Sequence, residues 1–196
     1  MSSRNILIVY GTSYGQTAKV ARFMADRLTE MGDSVTLVDA GGLLRSTSLP
    51  RTPLDFDGVI VGSSVLYGRH QRSIERFVGA HRDALNAMPS AFFSVSGSAA
   101  SEDEATRAEA RRVVRTFLSA TEWRPQLAET VAGAMAYTKY NPVVRWLLKR
   151  RSAKNGGPTD SSRDHEFTDW AQVRGFVEAF AATLPHPPEI RPLATA

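Results

Sequence analysis

Asn5-Ile-Leu-Ile-Val-Tyr10-Gly11-Thr-Ser-Tyr-Gly15-Gln-Thr17 is the stretch on which the fold turns. Ile6 to Tyr10 form an unbroken apolar run rich in β-branched residues, the pattern of a strand buried on both faces of a parallel sheet. A polar turn from Gly11 to Gly15 follows. Beyond it Val20, Phe23, Met24, Leu28 and Met31 recur at helical spacing, and Gly32 stops the segment. The order is strand, loop, helix.

The same alternation continues outward. Residues 34–39, 56–62 and 90–95 read as further strands, and 70–86 as an amphipathic helix carrying Ile74, Phe77, Val78 and Leu85. Ser101-Glu-Asp-Glu104 has the spacing of a capping box at the start of a helix that runs to about Ala120. Residues 129–135 read as a fifth strand, and Thr168-Asp-Trp-Ala-Gln172 caps a last helix carrying Trp170, Val173, Phe176, Val177 and Phe180. Strands alternating with helices imply an α/β doubly wound parallel sheet with right-handed crossovers and helices on both faces. Five strands at this spacing suit the order 2-1-3-4-5. One domain is expected over residues 1–184, with an insertion at 136–167 near the fifth strand and a Pro-rich tail at 185–196.

Composition narrows the chemistry. The 196 residues contain no cysteine, which excludes disulfides, thiol catalysis and Cys-ligated metal. The four histidines lack the spacing that places two on one helix face, so no metal site is expected. The net charge is +4. Residues 136–165 hold seven Lys or Arg against Asp160 and Asp164, which more than accounts for that excess. Elsewhere the basic residues are interleaved with acids, the pattern of a solvated surface, and no nucleic-acid motif is present. The opening apolar run is far shorter than a signal-peptide core or a membrane span. The expected location is the cytoplasm, with peripheral contact at the inner face of the cell membrane. A homo-oligomer is compatible with this composition, though no surface stripe marks an interface.

In an open parallel sheet, ligands sit beyond the carboxyl ends of the strands. The first loop offers the hydroxyls of Thr12, Ser13 and Thr17, the backbone of Tyr14, Gly15 and Gln16, and a helix N-terminus, which together suit a phosphate. It is neither a nucleoside-triphosphate loop, since Gln16-Thr17 stands where Lys-Ser/Thr is needed, nor a G-x-G-x-x-G dinucleotide turn. A cradle without lysine suits a terminal monoester phosphate held by neutral donors. Residues 8–21 resemble the N-terminal signature by which flavodoxins hold FMN.

That resemblance implies roles for two further loops. Ser64, Val65, Leu66, Tyr67 and Gly68 would border the flavin ring, with Tyr67 near one face or, alternatively, packed on the following helix. Ser94, Val95, Ser96, Gly97 and Ser98 would lie beside its pyrimidine edge. Met88-Pro-Ser-Ala-Phe-Phe-Ser-Val95, Trp123-Arg-Pro125, Ala132-Gly-Ala134, Tyr137, Gly156-Gly157 and Thr168-Asp-Trp170 resemble the bacterial menaquinone-dependent protoporphyrinogen IX dehydrogenases of haem synthesis. The resemblance runs from about residue 5 to 184. It implies an FMN enzyme that oxidises protoporphyrinogen IX and reduces menaquinone or ubiquinone, with the redox chemistry on the cofactor rather than on a catalytic side chain. An NAD(P)H-dependent FMN quinone reductase and a non-enzymatic flavodoxin-like electron-transfer or binding module are the alternatives.

The insertion then has several roles open to it. Asn141 and Pro142 begin a helix in which Val143, Val144, Trp146, Leu147 and Leu148 are apolar and Lys149, Arg150 and Arg151 cluster at the end. Residues 141–154 suit an anionic lipid surface, the propionates of a porphyrinogen, or packing on the sheet with the basic end in water. Arg69, Arg72, Lys139 and Arg145 are the candidate partners of substrate carboxylates.

Overall fold

The computed structural model describes residues 3–43, 52–135, 150, 160 and 162–185. Five parallel strands form its centre: β1 (Asn5–Gly11), β2 (Ser34–Asp39), β3 (Gly58–Leu66), β5 (Ser90–Ser96) and β6 (Leu127–Ala132). They lie in the order β2-β1-β3-β5-β6, which is the expected 2-1-3-4-5 when only these parallel strands are numbered. β4 (Arg69–His70) folds back antiparallel on the end of β3. A separate ribbon pairs β7 (Ala134–Met135) with β8 (His165–Glu166), so the end of the stretch read as an insertion at 136–167 returns to the residues just before it.

The helices cover both faces. Helix α1 (Gln16–Glu30) and the last helix, α5 (Trp170–Thr183), pack on one face against Ile6, Ile8, Ile60, Phe93 and Val131. On the other, α3 (Arg72–Ala87) and α4 (Glu104–Thr121) cover Leu7, Val9, Val59, Val61 and Phe92. A single turn, α2 (Ala40–Leu43), follows β2. Alternate residues of β1 serve opposite cores, which is why its sequence is apolar throughout.

Several sequence boundaries are corrected. The third strand runs on through residues 63–66, because β4 supplies a partner for Val65 and Leu66 that no local pattern announces. His70 lies in β4, so the helix read from residue 70 starts at Arg72. The strand read at 129–135 is two strands broken at Gly133, whose position allows close contact with the backbone of Ser96. The capping box also shifts. Asp103, not Ser101, is the N-cap of α4: its carboxylate accepts from the Thr106 amide at 2.8 Å, while Ser101 Oγ accepts from the Asp103 amide. Glu104 turns outward to Arg107 and Arg111. Asp169 caps α5, accepting from the amides of Ala171 and Gln172.

Among the described residues no helix is long and apolar enough to cross a membrane. Lys139, Arg145 and most of the helix expected within 141–154 lie outside the described residues.

Candidate functional site

At the carboxyl end of β1 the chain turns through Thr12 to Gly15 into α1. The Gly15 amide donates to Thr12 Oγ1 at 2.9 Å, and Gly15 takes φ 99°, a left-handed value that glycine adopts without a Cβ penalty. The first helical bond runs from the Lys19 amide to the Gly15 carbonyl, and no side chain among the described residues caps the helix. The N–H groups of Gln16, Thr17 and Ala18 therefore have no intrahelical acceptor, at the end of α1 where the dipole favours an anion. Thr17 is 1% exposed, and its Oγ1 is a buried polar atom with no hydrogen-bond partner among the described residues. An unmade buried hydrogen bond is costly, so this hydroxyl marks a place built for an absent acceptor or donor.

The second element is a hairpin, where the sequence had indicated only a loop. Tyr67 (φ 51°) and Gly68 (φ 74°) are the two left-handed residues of a two-residue turn between β3 and β4. Tyr67 is 76% exposed, so it does not pack on the following helix, and Leu66 beside it is also exposed. An aromatic ring and an aliphatic side chain thus stand free above the sheet edge. Ser64 and Val65, below them, are half-buried.

Hydrogen bonds join this hairpin to the first loop. Gln71 Nε2 donates to both Ser13 Oγ and Ser64 Oγ, the two hydroxyls lying 3.2 Å apart. The Gln71 amide donates to Ser63 Oγ at 3.0 Å. On the opposite side, His70 Nε2 is 3.0 Å from Ser94 Oγ. The His70 ring packs against Phe92 and Phe117, and burial lowers its pKa to about 4, so it is neutral at physiological pH.

Ser94 and Val95 lie in β5, within the strand read at 90–95, and Ser96, read as loop, completes it. The Ser94 side chain is taken by His70, Val95 lies in the α1/α5 core, and Ser96 Oγ accepts from the Ala99 amide. Gly97 and Ser98 emerge at the strand end, where a short 3₁₀ turn spans Ser98–Ala100. The side chain of Gln16 is likewise engaged: Nε2 donates to Thr168 Oγ1 at 2.8 Å, which donates to the Ala132 carbonyl at 2.7 Å. Lys19 pairs with Glu166 and lies 5.3 Å from the centre of the Trp170 ring. Both contacts tie β8 and the start of α5 to the first helix.

The topology thus brings together the first loop, the hairpin and the end of β5. Arg69 and Arg72 are exposed beside the hairpin. Behind it, between α3 and α4, runs an open groove of about 620 Å³ that includes Arg69, His70, Glu75, Arg112 and Phe117. The sequence had not marked Gln71 or His70 for the site, and had marked Thr168 only in a helix cap and in the family resemblance. Their roles depend on pairings across strands, and only the polar character of Gln71 at a helix start was visible. Among the described residues no group of His, Asp and Glu is placed to hold a metal ion.

Comparison with known proteins follows the same lines. Residues 7–162 match the family model described as flavodoxin domain. The chain is 32% identical over 175 residues to an Escherichia coli (strain K12) protein named protoporphyrinogen IX dehydrogenase [quinone], covering 89% of this chain and 93% of that one. A Leishmania major protein of the same name is 36% identical over 184 residues, covering 92% of this chain and 76% of that one. Oxidised flavodoxin 1 from Bacillus cereus superposes with a TM-score of 0.56 at 14% identity, over 92% of this chain and 99% of the flavodoxin.

Proposed function

The chain belongs to the flavodoxin domain family, and from that premise we propose that it is a quinone-dependent protoporphyrinogen IX dehydrogenase that uses FMN. The observation that carries the substrate assignment is the 32% to 36% identity, sustained over about nine-tenths of the chain, to two relatives of that name. The fold alone is shared with proteins of other activities and would not select it.

The residues at the sheet edge fit the cofactor. An FMN phosphate would take the free amides of Gln16 to Ala18 and the orphaned Thr17 hydroxyl. Ser13 and Thr12 complete a cradle of neutral donors and acceptors. Tyr67, Leu66 and the backbone of Gly68 would border the ring, and the exposed end of β5 at Gly97 and Ser98 would border its polar edge. When bound, FMN supplies reversible two-electron chemistry between two organic partners.

Oxidation of protoporphyrinogen IX to protoporphyrin IX removes six electrons and six protons, so three quinones become three quinols for each porphyrin released. The chain's part is to hold the ring, admit a wide flat substrate and orient it. Arg69 and Arg72 stand beside the hairpin, exposed and in no ion pair with another described residue, which suits them to substrate propionates. The basic stretch at 136–165 supports a position at the inner face of the cell membrane, where a lipid-soluble quinone is within reach.

The test is the growth of protoporphyrin fluorescence in anaerobic mixtures of purified protein, FMN, protoporphyrinogen IX and a menaquinone analogue. Porphyrin formation that requires both FMN and the quinone, at three quinols per porphyrin, is expected. Quinone reduction that proceeds with NADPH but not with porphyrinogen would make the protein an NAD(P)H quinone reductase instead.

A further inference from the structure

We infer that Gln71 is a positioning residue that holds the Ser13–Ser64 hydroxyl pair so that the Ser13 proton is aimed at the cofactor. The inference rests on the FMN reading above. Its side-chain amide donates to both serine oxygens. A hydroxyl that accepts from an N–H keeps its own proton for another partner. Ser13 lies in the loop that would hold the phosphate, and Ser64 lies below the hairpin that would border the ring. The two hydroxyls also share a hydrogen bond at 3.2 Å, so with Gln71 donating to both and Ser64 donating to Ser13, the Ser13 proton is the one left for the ligand, and a cradle without lysine depends on such donors for its affinity.

The anchoring of Gln71 suits this task. Its backbone amide is held by Ser63 Oγ, and its Cβ and Cγ stand against Gly11 at the end of β1, where an added Cβ would come within about 3.1 Å of them. The preceding residue, His70, is fastened on the other side to Ser94. Consecutive side chains therefore tie the returning limb of the hairpin to the loop after β1 and to β5, fixing the amide from which both serines take their orientation.

The experiment measures dissociation constants of the apoprotein for FMN and for riboflavin, which lacks the phosphate, by quenching of flavin fluorescence. Gln71→Met keeps the length and loses the donor, while Gln71→Glu offers only acceptors and turns both hydroxyl protons inward. Gln71→Met is expected to weaken FMN about tenfold and riboflavin about threefold, and Gln71→Glu to weaken FMN further. In a Ser13→Ala background, the FMN penalty of Gln71→Met should shrink to the riboflavin value. Equal losses for FMN and riboflavin in every variant, or unchanged FMN affinity in a Gln71→Met protein that melts like the wild type, would overturn the inference. A wild-type protein that binds no flavin would instead overturn the cofactor assignment. If Gln71→Met does not fold, the Ser13→Ala and Gln71→Glu constants decide: Gln71→Glu losing no more FMN affinity than Ser13→Ala would refute the donor role.

Discussion

Thr17 carries the conflict between stability and binding in its smallest form. Its hydroxyl is buried in the first turn of α1 without a partner among the described residues, a position that costs stability until a ligand arrives. Thr17→Val preserves shape and removes the unmet group. The apoprotein should become more stable by about 1 kcal/mol in urea denaturation, while FMN affinity falls about tenfold. A loss of apoprotein stability would mean that the hydroxyl is satisfied in solution. The phosphate loop was the most legible part of the site, because hydroxyls, glycine and a following helix are adjacent in sequence. Gln71 was not legible, since its value comes from reaching Ser13 across 58 positions.

At the scale of elements, the hairpin β3–β4 shows where local pattern fails. The strand was visible as an apolar run to Gly62, but its extension depends on β4, and Tyr67-Gly68 is not the Asn-Gly pair that announces such a turn. Tyr67 holds a left-handed φ of 51° that favours asparagine over an aromatic residue, while its ring stays in solvent. Tyr67→Asn should stabilise the apoprotein by about 0.5–1 kcal/mol and weaken flavin binding about fivefold, as read by thermal melts and fluorescence titration.

The returning limb adds a pH dependence. The pKa of His70, at about 4, lies below the ordinary 6.5, so the folded state binds fewer protons than the unfolded one. The stability this burial protects is fully present above pH 6.5 and is lost as pH falls toward 4, by about 3 kcal/mol. His70→Gln, which keeps a donor and an acceptor toward Ser94, should flatten that part of the profile in urea titrations at stepped pH. Of the charged residues lining the adjacent groove, Arg69, Arg112, Glu75 and Glu109 are exposed and balanced in sign.

Across the whole molecule, the order of the parallel strands was legible because each strand is followed by a helix, and right-handed crossovers leave few arrangements. The β7–β8 ribbon was not legible, because it pairs residues about thirty apart, one strand just before the insertion and the other at its end. A second long-range tie lies at the opposite end of the sheet. The Arg4 guanidinium makes paired bonds to Asp33 at 2.7 and 2.9 Å and a third to the Ala181 carbonyl, joining the start of β1, the α1–β2 turn and the end of α5. Arg4→Met should cost about 2 kcal/mol by leaving Asp33 buried without its counter-charge, and adding Asp33→Asn should recover more than half. Urea midpoints of the single and double variants measure it.

The most direct measurement of the proposed function is a single anaerobic turnover. FMN-loaded protein is mixed with protoporphyrinogen IX, the visible flavin absorbance is followed, and a menaquinone analogue is then added. The prediction is bleaching by the porphyrinogen and full return of colour with the quinone. Flavin that keeps its colour with porphyrinogen yet bleaches with NADPH would contradict it.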